Sequence, residues 1–445
     1  MLRLMDVPLV RLSHLHHTDG DPLGSAPRVP SQPSRLLERT PKRRSGILVA
    51  SWTSLGVAAL RRRRHRRSIR HLHARRVTAS PTLEKTDQSV GRLFIDASDM
   101  DGFHESWSQA FRDERGVTWH PDVSLDKTHE VVVESYKHSV KWLPQDVLTE
   151  LLRFTYDKDA PAALWISGFP VDTSVPPTPV LNSAEPGLSA ARSDDRLPVC
   201  DTWVLGLARI LGIPYRIGGF DKSNARGGLL RDMLPKPGVD GRVSDLGLHR
   251  DLPSGVSRLA FEPDAFILLA ARGDTRRCVH TLVCSNKLLF ACLSPAEREA
   301  LRRSPVQVRF RDLETGVAEN YGFPFHALEG PDDEPKITLH GFVQQPGDSE
   351  VGEVVSLDAE TQAAYERAAE LAKENATRVD LQEGDMLILN NARCNHGRCG
   401  YTPRGDGGDR WLVKTFVHCG GWSRPSQLGE PEPFSFPEFW PRGDK

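Results

Sequence analysis

The stretch Gly384-Asp385-Met386-Leu387-Ile388-Leu389-Asn390-Asn391-Ala392-Arg393-Cys394-Asn395-His396-Gly397-Arg398 is the part of the sequence that best predicts the fold. Its first two residues are typical of a turn, and the apolar run 386–389 is typical of a short buried strand. Such a strand would deliver His396 to the turn that follows it. Fourteen residues after His396, Arg410 precedes a second predicted strand, 411–417.

Strands and helices are predicted on both sides of this stretch. Short apolar or β-branched runs predict further strands at 163–166, 265–270, 281–284 and 306–311. Apolar periodicity and capping residues predict helices at 143–152, at 201–211, after the capping box Ser294-Pro295-Ala296-Glu297, and at 358–377. No parallel βαβ repeat is visible. We therefore predict a mainly β protein with α-helices, whose core is a barrel or double-stranded β-helix (jelly roll) with helices packed outside it.

The N-terminal segment differs in composition from the remainder of the chain. Residues 1–80 contain 17 Lys and Arg against 4 Asp and Glu, although the net charge of all 445 residues is −1. We predict that 1–85 is a basic, disordered leader or organelle-targeting segment and that 86–445 is a single domain. The alternative is an arm that binds acidic surfaces, nucleic acid included. The apolar run 47–60 is shorter than the about 20 residues that span a bilayer, and no groove-reading element accompanies the arginines, so we predict neither a membrane span nor a nucleic-acid partner.

The seven cysteines do not form a disulfide framework or a zinc module. Their number is odd, and none lies in a C-x-x-C pair. Cys394 and Cys399 flank His396, but their spacing matches no standard zinc site. Reduced thiols in an intracellular protein are the interpretation we favour.

Candidate metal ligands come from an H-x-D triplet. On a strand, positions i and i+2 share a face, so a triplet of this kind can supply two ligands. With 16 His and 59 acidic residues in 445 positions, chance predicts about two such triplets, and the chain has three: His17/Asp19, His120/Asp122 and His249/Asp251. Only His249/Asp251 precedes a predicted barrel strand, 265–270. With His396 it makes two histidines and one carboxylate, the ligand set of non-haem iron oxygenases.

Arg410 is the candidate anchor for a co-substrate. A buried guanidinium can donate two parallel hydrogen bonds to a carboxylate, which suits the distal carboxylate of 2-oxoglutarate. The competing interpretation of His249-Arg250-Asp251-Leu252 as a kinase H-R-D-L loop fails, because position 256 is Val and the other kinase motifs are missing from the sequence.

Over residues 143–422 the chain resembles the clavaminate synthase-like branch of the TauD-type 2-oxoglutarate oxygenases. The resemblance rests on H-x-D, a strand led by Pro263, the pair Thr281-Leu282, and the block N-x-R-x-x-H-G-R with an arginine fourteen residues past its histidine. The matching residues of that block are Asn391, Arg393, His396, Gly397, Arg398 and Arg410.

The resemblance implies an oxidoreductase that uses Fe(II), 2-oxoglutarate and O2. His249, Asp251 and His396 would be the catalytic metal ligands, and Thr281 would hydrogen-bond 2-oxoglutarate beside Arg410. The implied reaction is hydroxylation of a small amino acid or a derivative of one, with desaturation or ring closure left open. Two departures bear on the substrate: about four extra residues between His249 and Pro263, and a stretch 337–342 without the carboxylates that many amino-acid hydroxylases of the branch carry there.

Other roles stay open from the sequence alone. Arg393 and Arg398 are candidate substrate residues or supporting residues, with a solvated turn as the alternative. Lys414 shares the strand face of Arg410 and would face either the substrate or the solvent. The alternatives to an oxygenase are a catalytically idle jelly-roll binding protein and a metal-dependent hydrolase with the same ligands. The sequence does not predict the oligomeric state.

Overall fold

The computed structural model of the protein describes residues 89–111, 125–179, 197–215, 229–235, 237, 242–251, 262–342 and 350–419. Side chains are not described at 125–129 and 350. The predictions for the leader 1–85, for His17/Asp19 and His120/Asp122, and for the extra residues of 252–261 lie outside the described residues. No helix in these ranges is both long enough and apolar enough to cross a membrane.

Sixteen strands are described between residues 90 and 418. In chain order they are β1 (Val90–Phe94), β2 (Ala163–Ser167), β3 (Ile213–Tyr215), β4 (Arg231–Met233), β5 (Leu246–His249), β6 (Ala265–Arg272), β7 (Thr281–Ser285), β8 (Val306–Asp312), β9 (Ala318–Phe325), β10 (Leu328–Glu329), β11 (Lys336–Ile337), β12 (Glu350–Val355), β13 (Thr377–Val379), β14 (Met386–Asn390), β15 (Cys394–Arg398) and β16 (Trp411–His418).

Seven α-helices accompany these strands, together with a 3-10 helix at Ala97–Met100. They are α1 (Phe103–Phe111), α2 (Leu125–Trp142), α3 (Gln145–Tyr156), α4 (Pro198–Leu211), α5 (Asn286–Cys292), α6 (Pro295–Arg303) and α7 (Ala359–Glu374). The predicted capping box is confirmed, because Ser294 accepts a hydrogen bond from the N–H of Glu297 while the Glu297 side chain accepts one from the N–H of Ser294.

Two sheets carry the residues predicted to be functional. A seven-stranded sheet has the order β1-β2-β14-β6-β16-β3, with β4 paired to β16, and a four-stranded sheet has the order β13-β7-β15-β5. Apart from the parallel pair β1/β2, the described pairings in both sheets are antiparallel. The expectation of a mainly β protein with α-helices is confirmed.

Strand β6 is apolar along its length because both of its faces are buried. Phe266 and Leu268 point into a cluster shared with Val283 of the four-stranded sheet, whereas Ile267 and Leu269 point into the cluster that packs on the helices. This alternation follows from the two-residue period of a strand. The inner faces of the two sheets therefore pack together, with α1 to α4 on the outer face of the larger sheet.

A third cluster stabilises the remaining helices. Side chains of α5, α6 and α7, among them Leu289, Leu301 and Ala368, pack with the three-stranded sheet β12-β8-β9 and the hairpin β10-β11. The hairpin matters for the site because it leads into the stretch 337–342, which lies against β5: a Cβ on Gly341 would stand too close to the backbone oxygen of Gly247.

Candidate metal and co-substrate site

The structure brings the three predicted metal ligands together from two neighbouring strands. His249 at the end of β5 pairs directly with His396 in the middle of β15. Asp251 follows two residues after His249, and the ligand atoms of all three side chains lie within 4.8 Å of one another. Nε2 of His249 is 3.5 Å and Nε2 of His396 is 3.8 Å from the Asp251 carboxylate.

The position of His396 differs from the one we predicted. The strand β14 ends at Asn390, the turn occupies 391–393, and His396 lies within the next strand. Because β15 pairs with β5 on one side and with β7 on the other, the backbone of His396 is held on both edges. A turn residue would have fewer such restraints.

The donor set fits a divalent iron ion. Two imidazole nitrogens and one carboxylate, all on buried residues, form the ligand group that leaves room for further ligands in non-haem iron sites. Nδ1 of His249 lies 2.8 Å from the backbone oxygen of Gly247, which leaves Nε2 as the nitrogen that a metal could bind. The ring of Phe266 packs against His396, with centroids 4.5 Å apart.

The charges of the group suit a metal site. Burial alone would raise the pKa of Asp251, but Lys414 and the two histidines hold that pKa well below its ordinary value. Burial, reinforced by His249, lowers the pKa of His396 well below its usual value. A carboxylate that stays ionised beside a neutral imidazole is the protonation state that metal binding requires.

Lys414 donates a hydrogen bond to a carboxylate oxygen of Asp251. Its side chain is 3% exposed, so the solvent-facing alternative is wrong. The ammonium also lies 4.2 Å from the ring centre of Phe266 and 4.5 Å from that of Phe416. Burial lowers the pKa of Lys414, while Asp251 opposes that change.

Arg410 and Thr281 also lie next to each other. Arg410 precedes β16 and Thr281 begins β7, so their contact bridges the two sheets: Nη1 of Arg410 donates to Oγ1 of Thr281 over 3.3 Å. Burial, followed by repulsion from Arg398, lowers the pKa of Arg410 to about 10. Within the part of the chain that the structure describes, Arg410 forms no ion pair with a carboxylate. A buried guanidinium in this situation is suited to an anionic ligand.

The two remaining candidate arginines lie in different settings. Arg398 is directly opposite Thr281 across the β7/β15 ladder, and its guanidinium donates to the backbone oxygens of Ser244 and Cys399 at 2.9 and 3.2 Å. The solvated-turn alternative is therefore wrong for Arg398. Arg393 does lie in the turn before β15, where it donates to the backbone oxygen of Phe154 at 3.5 Å.

Two functional candidates were not singled out from the sequence. Arg250, between the two ligands of the triplet, is buried and donates to the backbone oxygen of Asn391, to Thr338 and to Glu262, each at 2.7 Å. His340 lies in the predicted substrate stretch, and neither of its ring nitrogens has a hydrogen-bond partner among the described residues. Burial, with His249 nearby, lowers the pKa of His340 to about 3. In the sequence, Arg250 was considered only as part of the H-R-D-L motif, because its long-range contacts have no local sequence signal.

Comparisons with known proteins identify similar sequences. Residues 268–416 match the family model described as taurine catabolism dioxygenase TauD, TfdA family. The L-asparagine oxygenase of Streptomyces coelicolor is 31% identical over 301 residues, which cover 64% of this chain and 79% of that protein. The L-lysine 3-hydroxylase of Catenulispora acidiphila is 29% identical over 291 residues, covering 63% and 73%.

Solved structures show a similar fold. Asparagine oxygenase in complex with Fe(II), 3-hydroxyasparagine and succinate superposes with a TM-score of 0.55 at 22% identity, covering 74% of this chain and 93% of that one. The non-heme iron oxygenase OrfP, in complex with Fe, succinate and 3-hydroxyarginine, gives a TM-score of 0.54 at 20% identity, covering 74% and 94%.

Proposed function

This chain belongs to the TauD/TfdA dioxygenase family, and from that membership we propose that it hydroxylates a free L-amino acid. It is an Fe(II)- and 2-oxoglutarate-dependent dioxygenase. The overall reaction consumes O2 and 2-oxoglutarate and releases succinate and CO2. One oxygen atom enters succinate and the other enters the new hydroxyl group. The bound iron and 2-oxoglutarate supply the oxidising power for breaking a C–H bond.

The observation that carries the site assignment is the convergence of His249, Asp251 and His396 within 4.8 Å. These three residues hold the iron. The protein's part is to fix their geometry and to keep Asp251 ionised, for which Lys414 supplies the neighbouring positive charge. Arg410 binds the distal carboxylate of 2-oxoglutarate, and Thr281 adds a hydroxyl to the same subsite.

The fold that supports this assignment is a double-stranded β-helix. The two sheets that pack face to face would be its two walls, with the metal at the edge where β5, β15 and β16 meet. The likeness to asparagine oxygenase supports this topology.

Lys414 is the proposed anchor for the substrate carboxylate. It is a buried cation beside the metal ligands, and among the residues that the structure describes its ammonium pairs with one carboxylate, that of Asp251. With the Asp251 carboxylate bound to iron, the Lys414 ammonium would be available to a second carboxylate. A charge-assisted hydrogen bond of this kind contributes about 1.5–3 kcal/mol.

The side-chain subsite favours a neutral amino acid over a cationic one. Two described carboxylates that follow the H-x-D triplet are already partnered: Glu262 by Arg250 and Lys336, and Oδ2 of Asp264 by the backbone N–H of Cys419 and by the His418 ring. His340 instead offers an uncharged ring with one donor and one acceptor. An amide or hydroxyl side chain would satisfy such a ring, whereas an ammonium or guanidinium would find among these two residues only the remaining oxygen of Asp264.

The direct test is turnover with a panel of amino acids. Purified protein, Fe(II), 2-oxoglutarate and each L-amino acid would be incubated in air while succinate and O2 are measured, and products would be examined by mass spectrometry. We expect succinate release to rise with a neutral polar amino acid and the product to gain one oxygen atom. A product that has lost two hydrogens would instead indicate desaturation. Hydrolysis without O2 uptake would contradict an oxygenase.

A further inference from the structure

Asn391 makes five hydrogen bonds around the H-x-D triplet. Its side-chain oxygen accepts from the backbone N–H of Asp251 at 2.9 Å. Its amide nitrogen donates to the backbone oxygens of Asp251 and Pro263, at 2.8 and 2.9 Å. Its own backbone donates to the oxygen of Asp264 at 2.9 Å and accepts from Nε of Arg250 at 2.7 Å. The residue is completely buried.

These contacts replace strand pairing at the carboxylate ligand. The strand β5 ends at His249, so Asp251 lies beyond the ladder that orders the two histidines. A carboxamide can accept one hydrogen bond and donate two in a fixed plane, and therefore imitates the edge of a neighbouring strand. Without Asn391, the buried N–H and C=O of Asp251 would lose these partners, and unsatisfied backbone groups are costly.

Asn391 also couples the two ligand-bearing segments. It lies at the start of 391–396, the segment that carries His396, and its side chain hydrogen-bonds to the backbone of Asp251. Its bonds to Asp251 and Pro263 join the two residues that flank 252–262. The side chain of Asn391 therefore ties the carboxylate ligand to the segment that carries the imidazole ligand.

We propose that Asn391 is a positioning residue that sets the metal affinity of the site by fixing Asp251. This inference rests on the proposed metal site. Residues that orient metal ligands typically change metal affinity about 10- to 100-fold when they are mutated. Asn391→Ala should therefore raise the dissociation constant for a divalent metal by about this factor, although all three ligands are retained.

The test uses Co(II) as an air-stable probe that accepts nitrogen and oxygen ligands. Its dissociation constant would be measured by calorimetry for the wild type, Asn391→Ala, Asn390→Ala and His396→Ala. Asn390 is a matched control, because it is the adjacent asparagine and is also buried. Among the described residues, its side chain accepts hydrogen bonds only from the backbone N–H groups of Ala392 and Arg393. Thermal unfolding of the metal-free forms would show how much stability each change removes.

We expect Asn391→Ala to weaken Co(II) binding far more than Asn390→Ala does, even where the two lose similar stability. Equal affinities in these two variants would overturn the inference while leaving the metal site intact. Unchanged binding in His396→Ala would instead contradict the metal site itself. If Asn391→Ala does not fold, Asn391→Asp serves as the second variant, since it keeps the accepting oxygen and the volume but loses both donated bonds.

Discussion

Lys414 and Asp251 form a buried pair in which the cation lies beside a proposed metal ligand. Because the pair is out of contact with water, each charge depends on the other. A lysine in this position can hold a second carboxylate once the first is bound to metal, which is the basis of its proposed role toward the substrate.

Substitution of Lys414 tests that role. In Lys414→Met we expect the KM for the amino-acid substrate to rise about 10- to 100-fold, because a charge-assisted hydrogen bond contributes about 1.5–3 kcal/mol. The affinity for 2-oxoglutarate should change much less. Steady-state kinetics with each substrate varied in turn would measure both. Lys336→Met is the control, since Lys336 pairs with Glu262 and not with a proposed metal ligand. An unchanged KM for the amino acid in Lys414→Met would count against substrate binding by Lys414.

Arg410 should govern the co-substrate requirement. Arg410→Ala removes the guanidinium that lies against Thr281, so we expect the concentration of 2-oxoglutarate needed for half-maximal rate to rise at least about 10-fold. Arg272→Ala removes a comparable guanidinium, one that bonds to Thr178 and to the backbone oxygens of Val175, Pro176 and Gly407. If both variants needed the same amount of 2-oxoglutarate, Arg410 would not be the anchor.

At the scale of single elements, local signals were sufficient for six of the sixteen described strands and four of the seven described α-helices. The runs that became β2, β6, β7, β8, β14 and β16 were predicted from apolar or β-branched residues between turns, and each strand proved only one or two residues longer. The placement of His396 in a turn was wrong because β15 has little local strand character. Its pairing with β5 and β7, rather than the propensity of Asn395 or Gly397, makes it a strand.

The capping box of α6 is a local feature whose energy can be measured. Ser294→Ala removes the side-chain oxygen that accepts from Glu297, and we expect the free energy of unfolding to fall by about 1 kcal/mol. Chemical denaturation would measure the change. The free energy of unfolding of the double variant Ser294→Ala/Glu297→Ala should fall by less than the sum of the decreases in the two single variants. Strict additivity would show that the two bonds do not act together.

His138 on α2 should make stability depend on pH. The ring is buried among Phe103, Phe111 and Trp142, and burial, aided by Lys141, lowers its pKa to about 4. The unfolded chain binds this proton near pH 6.5 and the folded chain does not. Above pH 6.5 the ring is neutral in both states and the free energy of unfolding is at its full value. It then declines by up to about 3 kcal/mol as the pH falls to about 4.

The variant His138→Phe should lose this part of the pH dependence. Unfolding by denaturant at several pH values between 4 and 7 would give, for each protein, the slope of the unfolding free energy against pH. His326→Phe changes an exposed histidine and should keep the wild-type slope. A slope in His138→Phe equal to that of the wild type would mean that this ring does not contribute.

At the scale of the whole molecule, the sequence predicted the chemistry better than the contacts that support it. The ligands, Arg410 and Thr281 could be named because their spacing matches a family. The bond between Arg250 and Asn391, the bond between Asn391 and Asp251, and the ion pair between Lys414 and Asp251 join residues that are more than 100 positions apart. No periodicity or local motif in the sequence predicts contacts between residues this far apart, so these contacts are seen only in the folded structure.

The organisation of the complete chain stays a prediction. The basic leader and the single domain that follows it were predicted from charge and composition, and residues 1–88 lie outside the described part. The idle-binding and hydrolase alternatives are not favoured, because the relatives are an asparagine oxygenase and a lysine hydroxylase.

The central claim is that His249, Asp251 and His396 would hold an iron ion that 2-oxoglutarate chelates. Anaerobic absorption spectroscopy tests it most directly. Adding Fe(II) and then 2-oxoglutarate to the wild-type protein should produce the weak visible charge-transfer band of the chelate. His396→Ala should not produce it, and His326→Ala should. A wild-type protein without the band, or a His396→Ala protein that retains it, would contradict the account.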